Sequence, residues 1–236
     1  MEEKGVRTLD LFSYRAESEP RNRLLADRMR PETIEEYIGQ EHIVGPGKLL
    51  RRAIERDAVT SILLFGPPGC GKTTLAHIIS KRTEGDFVRL NAVDASVKDV
   101  REVIEQAERN KNMYGRKTIL FLDEVHRFNS SRQDALLPAV EKGIIVFIGA
   151  TTENPFHSVN GALLSRSTLF RLQPLTKEHS LIAMRRALAD PVKGLGFMKL
   201  SVGEDALDHI ASMANGDIRR ALTALELAAV TTPSES

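Results

Sequence analysis

The chain has 236 residues, and its 33 Lys and Arg against 32 Asp and Glu give a formal net charge of +1. This balance excludes a protein that binds nucleic acid through an overall positive charge, so any DNA contact must come from a local patch. The single cysteine excludes an internal disulfide, and the chain has neither an apolar run long enough for a membrane span nor a signal-peptide pattern, so we expect a cytoplasmic protein with no membrane partner.

The first 60 residues contain little helical or strand periodicity. Residues 1–20 have little apolar periodicity and end in Ala-Glu-Ser-Glu-Pro, which predicts a mobile tail. Gly45-Pro46-Gly47 predicts a loop. Lys48–Arg56 has leucine, alanine and isoleucine at helical spacing, which predicts a helix.

Short apolar runs then alternate with segments of helical period. The predicted strands are Ile62–Phe65, Phe87–Leu90, Ile119–Leu122, Ile144–Ile148 and Leu169–Leu172. The predicted helices lie between them, around Leu75–Lys81 and at Val97–Asn112 and Arg132–Val140. Wholly apolar strands that alternate with helices are typical of a parallel sheet covered on both faces, so we expect an α/β fold with a five-stranded parallel sheet.

The pattern changes after Pro174. Three helical segments follow, at about 176–188, 203–214 and 217–229, with no strand among them. We therefore predict an α/β domain over residues 21–173, a small all-helical lid domain over residues 174–230 and a polar tail over residues 231–236.

A phosphate-binding loop lies between the first predicted strand and the next helix. Residues 66–73 read Gly-Pro-Pro-Gly-Cys-Gly-Lys-Thr and fit G-x-x-x-x-G-K-[ST] in the strand–loop–helix context that this motif requires. Backbone N–H groups of such a loop surround the phosphates, the lysine binds the β- and γ-phosphates, and the hydroxyl holds Mg²⁺. The nucleotide-binding residues predicted here are Pro68, Gly69, Cys70, Gly71, Lys72, Thr73 and Thr74.

Cys70 lies inside this loop and allows two interpretations. A small side chain that points away from the nucleotide is the one we favour. The alternative is a thiol of low pKa, activated by the helix N-terminus, which would make the loop sensitive to oxidation.

Two carboxylates follow the third predicted strand. Asp123 and Glu124 come directly after Ile119–Leu122, and the carboxyl end of a parallel strand lies beside the phosphate loop. We expect Asp123 to bind Mg²⁺ and Glu124 to orient the attacking water. The second carboxylate favours hydrolysis over binding alone.

Polar side chains also follow the fourth predicted strand. Thr152 is the preferred candidate for a contact with the γ-phosphate or its attacking water, and Thr151 and Asn154 are alternatives. A capped turn before Pro155 explains the same residues without any catalytic role.

Several further motifs lie in a recognisable order. The sequence resembles the AAA+ ATPases and, more closely, the replication-associated recombination protein A family, whose eukaryotic counterpart is the Werner helicase-interacting protein. The motifs that carry the resemblance are RMRP (Arg28–Pro31), YIGQEHIVGPGK (Tyr37–Lys48), DEVHRF (Asp123–Phe128), GATTENP (Gly149–Pro155), LLSR (Leu163–Arg166) and GDIRRAL (Gly216–Leu222).

The resemblance implies roles that spacing alone leaves unassigned. Arg166 matches the arginine finger that enters a neighbouring subunit's ATP site, although the Ser-Arg-Cys of clamp-loader relatives reads Ser-Arg-Ser here. Arg219 matches the lid-domain sensor arginine and Thr152 the strand-tip sensor. Ile38 and Gly39 resemble the segment that packs against adenine.

The resemblance also implies partners. Family members are ring-forming, DNA-stimulated ATPases that act at stalled or gapped replication forks, on DNA ends and single-strand/double-strand junctions, which implies a nucleoid-associated location. In the family, a helical region beyond the lid builds the oligomer, so assembly by these 236 residues alone stays open.

A short segment near the start of the chain is similar to the bacterial sliding-clamp-binding peptide. Leu9, Asp10, Leu11 and Phe12 match it, while Thr8 replaces its glutamine. The alternative is that these apolar side chains pack on the protein itself.

Together, these observations predict a Mg²⁺-dependent ATPase with ATP bound where the two domains meet. The alternatives are a clamp-loader-like or branch-migration motor, or a nucleotide-switched scaffold that hardly hydrolyses ATP.

Overall fold

A computed structural model describes residues 23–232 of the chain. The predicted tail of residues 1–20, with its clamp-like segment Leu9–Phe12, lies outside the described residues, as do residues 233–236. The described chain divides into two compact units, residues 31–176 and residues 23–30 with 177–232.

The larger unit contains the five-stranded sheet. Its strands are β1 (Ile62–Phe65), β2 (Asp86–Asn91), β3 (Thr118–Asp123), β4 (Ile145–Thr151) and β5 (Thr168–Arg171). They lie in the order β2-β3-β4-β1-β5, and every neighbouring pair is parallel. The predicted parallel α/β sheet is confirmed, and its strand bounds differ from the predicted ones by at most three residues.

The helices of this unit lie between the strands and before β1. They are α2 (Glu41–Val44), α3 (Leu49–Glu55), α4 (Lys72–Arg82), α5 (Val97–Tyr114), α6 (Ser130–Asp134), α7 (Leu137–Glu141), α8 (Pro155–Ser158) and α9 (Gly161–Ser165), with a 3₁₀ turn at Val125–Arg127. The short helices α2, α8 and α9 were not predicted, because four or five residues are too few to establish a period.

The predicted helix Arg132–Val140 is instead two short helices, α6 and α7. Pro138 lies in the first turn of α7. Proline has no backbone N–H, so it cannot donate to the carbonyl of Asp134 as a continuous helix would require. The apolar spacing predicted one helix because it records only which side chains face the core.

The two faces of the sheet pack against separate apolar cores. Leu64, Phe121 and Ile148 face one core, which also contains side chains of α3 and α4. Leu63 and Phe147 face the other, which contains side chains of α5, α7 and α9. Because successive strand residues point to opposite faces, buried strands need apolar residues at every position, which is the pattern seen in the sequence.

The smaller unit consists of helices only. It contains α1 (Leu25–Arg28), α10 (Lys177–Ala189), α11 (Glu204–Ala214) and α12 (Ile218–Thr231), with a 3₁₀ turn at Gly196–Met198. Its core contains Leu25 of α1 together with apolar residues of the other helices. Of the described residues, no helix combines the length and apolar character that crossing a bilayer requires.

Glu226 of α12 joins α1 to the rest of the helical unit. Its carboxylate accepts a hydrogen bond from the Leu25 N–H at 2.9 Å and forms an ion pair with Arg28 at 3.0 Å. The predicted α/β domain over residues 21–173 includes this segment, because it precedes the sheet in the chain. These contacts place α1 with α12, close to the other end of the chain.

The tight packing around Gly149 generates a prediction for stability. Gly149 pairs with Leu63 across β1 and β4, and a Cβ at residue 149 would lie well inside van der Waals distance of Leu63 Cδ1. We expect Gly149→Ala to destabilise the protein by about 1–3 kcal/mol because the core must shift to admit the methyl group. Calorimetry would measure this as a lowered unfolding temperature.

Gly161→Ala is the matched control. A Cβ at Gly161 meets nothing within 4 Å, and the residue begins α9, where alanine is favourable. Equal unfolding temperatures for the two variants would contradict the packing argument.

Candidate nucleotide-binding site

The phosphate loop connects β1 to α4 and depends on its glycines. Gly69 and Gly71 have φ angles of 74° and 102°, which side-chain-bearing residues rarely adopt. A Cβ at Gly71 would also lie 2.5 Å from the hydroxyl of Tyr37. The loop therefore keeps its curvature only with glycine at these positions. Pro68 is exposed at the tip of the loop, and Thr74 is half-buried in the first turn of α4.

Lys72 lies within the curve of the loop. Its side chain is almost fully buried, and Nζ donates to the carbonyl oxygens of Gly66 at 2.7 Å and Pro67 at 2.8 Å. Uncharged carbonyls accept from two of the three ammonium donors, and in the part of the chain that the structure describes no carboxylate forms an ion pair with Lys72. This charge, beside the first turn of an 11-residue helix, suits the loop to binding an anion.

Cys70 is buried beside Lys72. The residue is 1% exposed, and Sγ lies 3.8 Å from Lys72 Nζ. Burial raises the pKa of the Cys70 thiol, although the Lys72 charge acts in the opposite direction. The thiol is therefore protonated at neutral pH, which supports the favoured interpretation of this residue as a small packed side chain.

Two side chains that precede β1 fix the loop from outside. The Tyr37 hydroxyl donates to the Gly71 carbonyl at 3.1 Å, and burial raises the pKa of Tyr37 well above its usual range. Gln40 donates from Nε2 to the carbonyls of Cys70 at 3.2 Å and Gln173 at 2.8 Å, and its Oε1 accepts from Gln173 N–H at 2.9 Å. Sequence reasoning missed both residues, although they flank Ile38 and Gly39.

Ile38 and Gly39 lie between Tyr37 and Gln40, the two residues that bond to the phosphate loop. Gly39 is buried with a φ angle of 76°, and Ile38 is half-buried. The structure therefore places the segment that sequence reasoning assigned to adenine directly beside the phosphate loop.

The two predicted magnesium ligands are neighbours. Thr73 Oγ1 donates to Asp123 Oδ2 at 3.2 Å, and Arg89 of β2 forms an ion pair with the same carboxylate oxygen at 3.1 Å. Hydroxyl and carboxylate oxygens suit Mg²⁺, which in nucleotide sites is completed by phosphate and water oxygens. Within residues 23–232, no group of three or more His, Cys, Asp or Glu side chains suits a metal, so the site relies on those additional ligands.

Glu124 follows Asp123 in an unusual backbone conformation. Its φ and ψ angles are 55° and 46°, in the left-handed region that few residues other than glycine adopt. Glu124 Oε2 lies 3.3 Å from Nδ1 of His126, and the same nitrogen lies 3.0 Å from Thr151 Oγ1. Sequence reasoning missed His126, although a titratable ring two residues after the acidic pair was a visible signal.

The three candidates after β4 have different environments. Thr151 is fully buried, and its hydroxyl oxygen accepts from the Glu153 N–H at 3.0 Å. Thr152 is exposed, and Asn154 caps α8 by accepting from the Phe156 N–H at 3.1 Å. The capped turn is thus present, with Asn154 as its cap, while Thr152 projects from the same edge of the sheet.

The two arginines lie in different units. Arg166 follows α9 in the larger unit, where its exposed guanidinium forms an ion pair with Glu141 at 2.6 Å and donates to the Ala162 carbonyl at 2.8 Å. Arg219 is exposed in the first turn of α12, where its N–H donates to the cap residue Asp217 at 3.0 Å.

Comparisons with known proteins identify an ATPase domain in this chain. Residues 62–175 match the model of the ATPase family associated with various cellular activities, AAA. The chain is 49% identical over 205 residues to replication-associated recombination protein A of Escherichia coli K12, covering 87% of this chain and 46% of that protein. It is 46% identical to the Bacillus subtilis protein of the same name, covering 88% of this chain and 48% of that protein. The chain thus spans about half the length of the curated relatives it matches.

Solved structures show the same fold. The Thermotoga maritima RuvB Holliday junction branch migration motor aligns with a TM-score of 0.68 at 27% identity, covering 84% of this chain and 64% of that one. A threonine-to-valine variant of the same motor aligns with a TM-score of 0.69 at 27% identity over the same shares.

The burial of Cys70 predicts slow reaction with thiol reagents. Because the chain has a single cysteine, the labelling rate reports on this residue alone. We expect a disulfide reagent such as Ellman's reagent to label the folded protein at pH 8 at least about 100-fold more slowly than the urea-unfolded chain, because the site must open and the thiol must ionise first. Rapid stoichiometric labelling of the folded protein, or peroxide-sensitive nucleotide binding that Cys70→Thr abolishes, would restore the redox interpretation.

Proposed function

This chain belongs to the AAA ATPases of the replication-associated recombination protein A family, and we propose that it binds ATP at the phosphate loop and hydrolyses it. One observation carries the proposal: the loop with its buried Lys72 lies beside the Asp123 and Glu124 end of β3. Binding groups for the phosphates and a carboxylate for the attacking water thus meet at one edge of the sheet.

The loop and Lys72 bind the triphosphate. Backbone N–H groups from Gly69 to Thr74 donate to the phosphate oxygens, with the N-terminal end of α4 adding its dipole. The Lys72 ammonium exchanges its carbonyl partners for the β- and γ-phosphates. Ile38 and Gly39 pack against the adenine base.

Thr73 and Asp123 would hold Mg²⁺. The 3.2 Å separation of their oxygens, and the preference of Mg²⁺ for hydroxyl and carboxylate ligands, support this assignment. When bound, Mg²⁺ neutralises negative charge on the phosphate oxygens.

Glu124 orients the water that attacks the γ-phosphate. Positioning and charge neutralisation supply most of the catalysis of phosphoryl transfer, so a fixed carboxylate next to the loop is the part that distinguishes hydrolysis from binding. Thr152 contacts the γ-phosphate or this water, and Arg219 reports the bound nucleotide to the helical unit.

Arg166 acts in the ATP site of a neighbouring subunit. It is exposed, so a second copy of the chain can present its own ATP site to this guanidinium, which would stabilise the charge that develops during transfer. The active form is therefore a homo-oligomer.

The cellular role follows from the relatives. Their names place them in replication-associated recombination, and we propose that this chain acts there, in the cytoplasm at the nucleoid. Its ATPase would be stimulated by DNA ends and single-strand/double-strand junctions. The segment Leu9–Phe12 would contact a sliding clamp, a proposal that rests on the sequence alone.

A branch-migration motor is the second candidate, because RuvB shares the fold. The identity of 27% to RuvB over 84% of this chain, against 49% to the Escherichia coli recombination protein over 87%, favours the first candidate. A nucleotide-switched scaffold shares the binding residues and differs only in turnover.

Steady-state ATP hydrolysis tests the central proposal. We expect Glu124→Gln to lower kcat at least about 100-fold, because the amide cannot orient and polarise water as the carboxylate does, while ATP binding is retained. The assay compares both proteins with and without a single-strand/double-strand junction. Lys72→Ala is the control, since it loses binding as well. Tight ATP binding with no turnover above the Glu124→Gln level would instead favour the scaffold.

A mixing experiment tests the trans role of Arg166. We expect Arg166→Ala to lower kcat about 1000-fold or more, within the range for arginine fingers. Mixing it with Glu124→Gln should restore turnover. In a mixed oligomer, the Arg166→Ala subunit retains Glu124 and receives Arg166 from a neighbouring Glu124→Gln subunit. The double variant Glu124→Gln/Arg166→Ala is the matched control and should restore none. Activity strictly proportional to protein concentration, with no recovery on mixing, would contradict a trans finger.

A further inference from the structure

His126 lies between the proposed catalytic carboxylate and the end of β4. It follows Glu124 in the 3₁₀ turn Val125–Arg127, and its side chain is 10% exposed. Nδ1 lies 3.0 Å from Thr151 Oγ1 and 3.3 Å from Glu124 Oε2. One ring nitrogen therefore contacts both the carboxylate and a buried hydroxyl.

Within residues 23–232, the contact given for the other ring nitrogen is a long one. Nε2 lies 3.8 Å from Glu153 Oε1, beyond hydrogen-bond distance, and the Glu153 side chain is largely exposed. Exposed ion pairs at this separation contribute little. The position of the ring is therefore set by the Nδ1 side.

Thr151 is itself held firmly. Its backbone carbonyl accepts from the N–H of Gly66, the first residue of the phosphate loop, at 3.2 Å, and it pairs with Phe65 across β1 and β4. Its hydroxyl oxygen also accepts from the Glu153 N–H. Thr151, which is fully buried, thus connects the His126 imidazole to the start of the phosphate loop.

The left-handed backbone of Glu124 explains why such a contact is needed. A non-glycine residue in this conformation persists only where its surroundings hold it. The bend that it makes after Asp123 brings the Glu124 carboxylate back toward residue 126. A polar partner at this distance can fix the orientation of the carboxylate once ATP is bound.

We propose that His126 is a positioning residue, which donates from Nδ1 to the Glu124 carboxylate and is held in register with the phosphate loop by Thr151. The inference rests on the proposed function, because it assigns the regulation of the carboxylate that orients water. His126 touches neither ATP nor water in this scheme, and acts through Glu124.

The two contacts of Nδ1 have different roles. A protonated Nδ1 lies within reach of the Glu124 carboxylate, and the Thr151 hydroxyl oxygen, 3.0 Å from the same nitrogen, holds the ring in place. Thr151 is in turn bonded to Gly66 through its backbone carbonyl. A movement of the phosphate loop is thereby transmitted to the carboxylate through three residues in direct contact.

Two conservative substitutions separate the two ring nitrogens. The side-chain amide of asparagine places a nitrogen near the position of Nδ1, whereas that of glutamine places one near Nε2. We expect His126→Ala to lower kcat for ATP about 10–100-fold, because misplacement of a catalytic group by about 1 Å costs this much. KM and the affinity for a non-hydrolysable ATP analogue should stay within about twofold. His126→Asn should recover most of kcat, and His126→Gln should not.

Thr151 and Glu153 supply the companion variants. Thr151→Val removes the hydroxyl at constant shape and should lower kcat as His126→Ala does, while Thr151→Ser retains it. Glu153→Gln is the control at the Nε2 side and should leave kcat within about twofold. Unfolding temperatures measured for every variant exclude loss of the fold as the cause.

The outcomes distinguish this inference from the proposed function. Full turnover by Glu124→Gln would overturn the proposed function itself. A Glu124→Gln variant without turnover, together with unchanged kcat in His126→Ala, would overturn only the role of His126. Equal rates for His126→Asn and His126→Gln, or a fall in ATP affinity that matches the fall in kcat, would also overturn it.

Discussion

The hydrogen bond from the Gly66 N–H to the Thr151 carbonyl fixes the point at which the phosphate loop leaves the sheet. It continues the parallel pairing of β1 with β4 by one residue beyond Phe65. Because β3 is parallel to β4, the same edge also receives Asp123 and Glu124. The loop, the carboxylates and the end of β4 therefore meet as a consequence of strand register, and every role proposed for them depends on that register.

The sequence predicts those features whose pattern lies within a few neighbouring residues of the chain. The strands read as apolar runs because both faces of the sheet are buried, and the phosphate loop and Asp123 lie at the ends of such runs. Gln40 and Tyr37 gave no comparable signal, since Gln40 joins Cys70 to Gln173, which lies 133 positions after Gln40 in the chain. Contacts of that range depend on the folded sheet and leave no period in the chain.

The residues at the end of β4 show that sequence also fails to distinguish between adjacent residues of the same type. Thr151 and Thr152 are adjacent and chemically identical, yet one is fully buried and the other exposed, because successive side chains point to opposite sides where a strand ends. Sequence reasoning identified the pair and preferred Thr152. Only the folded structure shows that the Thr151 hydroxyl faces His126, a contact that joins the ends of β3 and β4.

Half of the buried polar side chains of the described residues lie around this edge. The buried polar or charged residues of the described chain are Gln40, Lys72, Thr118, Gln133, Thr151 and Ser180. Gln40 and Lys72 contact the phosphate loop through their side chains and Thr151 through its backbone carbonyl. Gln133 is hydrogen-bonded elsewhere, whereas the Thr118 and Ser180 hydroxyls have no partner among the described residues. Because burying polar groups costs free energy unless they are hydrogen-bonded, these contacts hold the loop in one conformation. A loop ordered in this way binds phosphate without first losing its own conformational entropy.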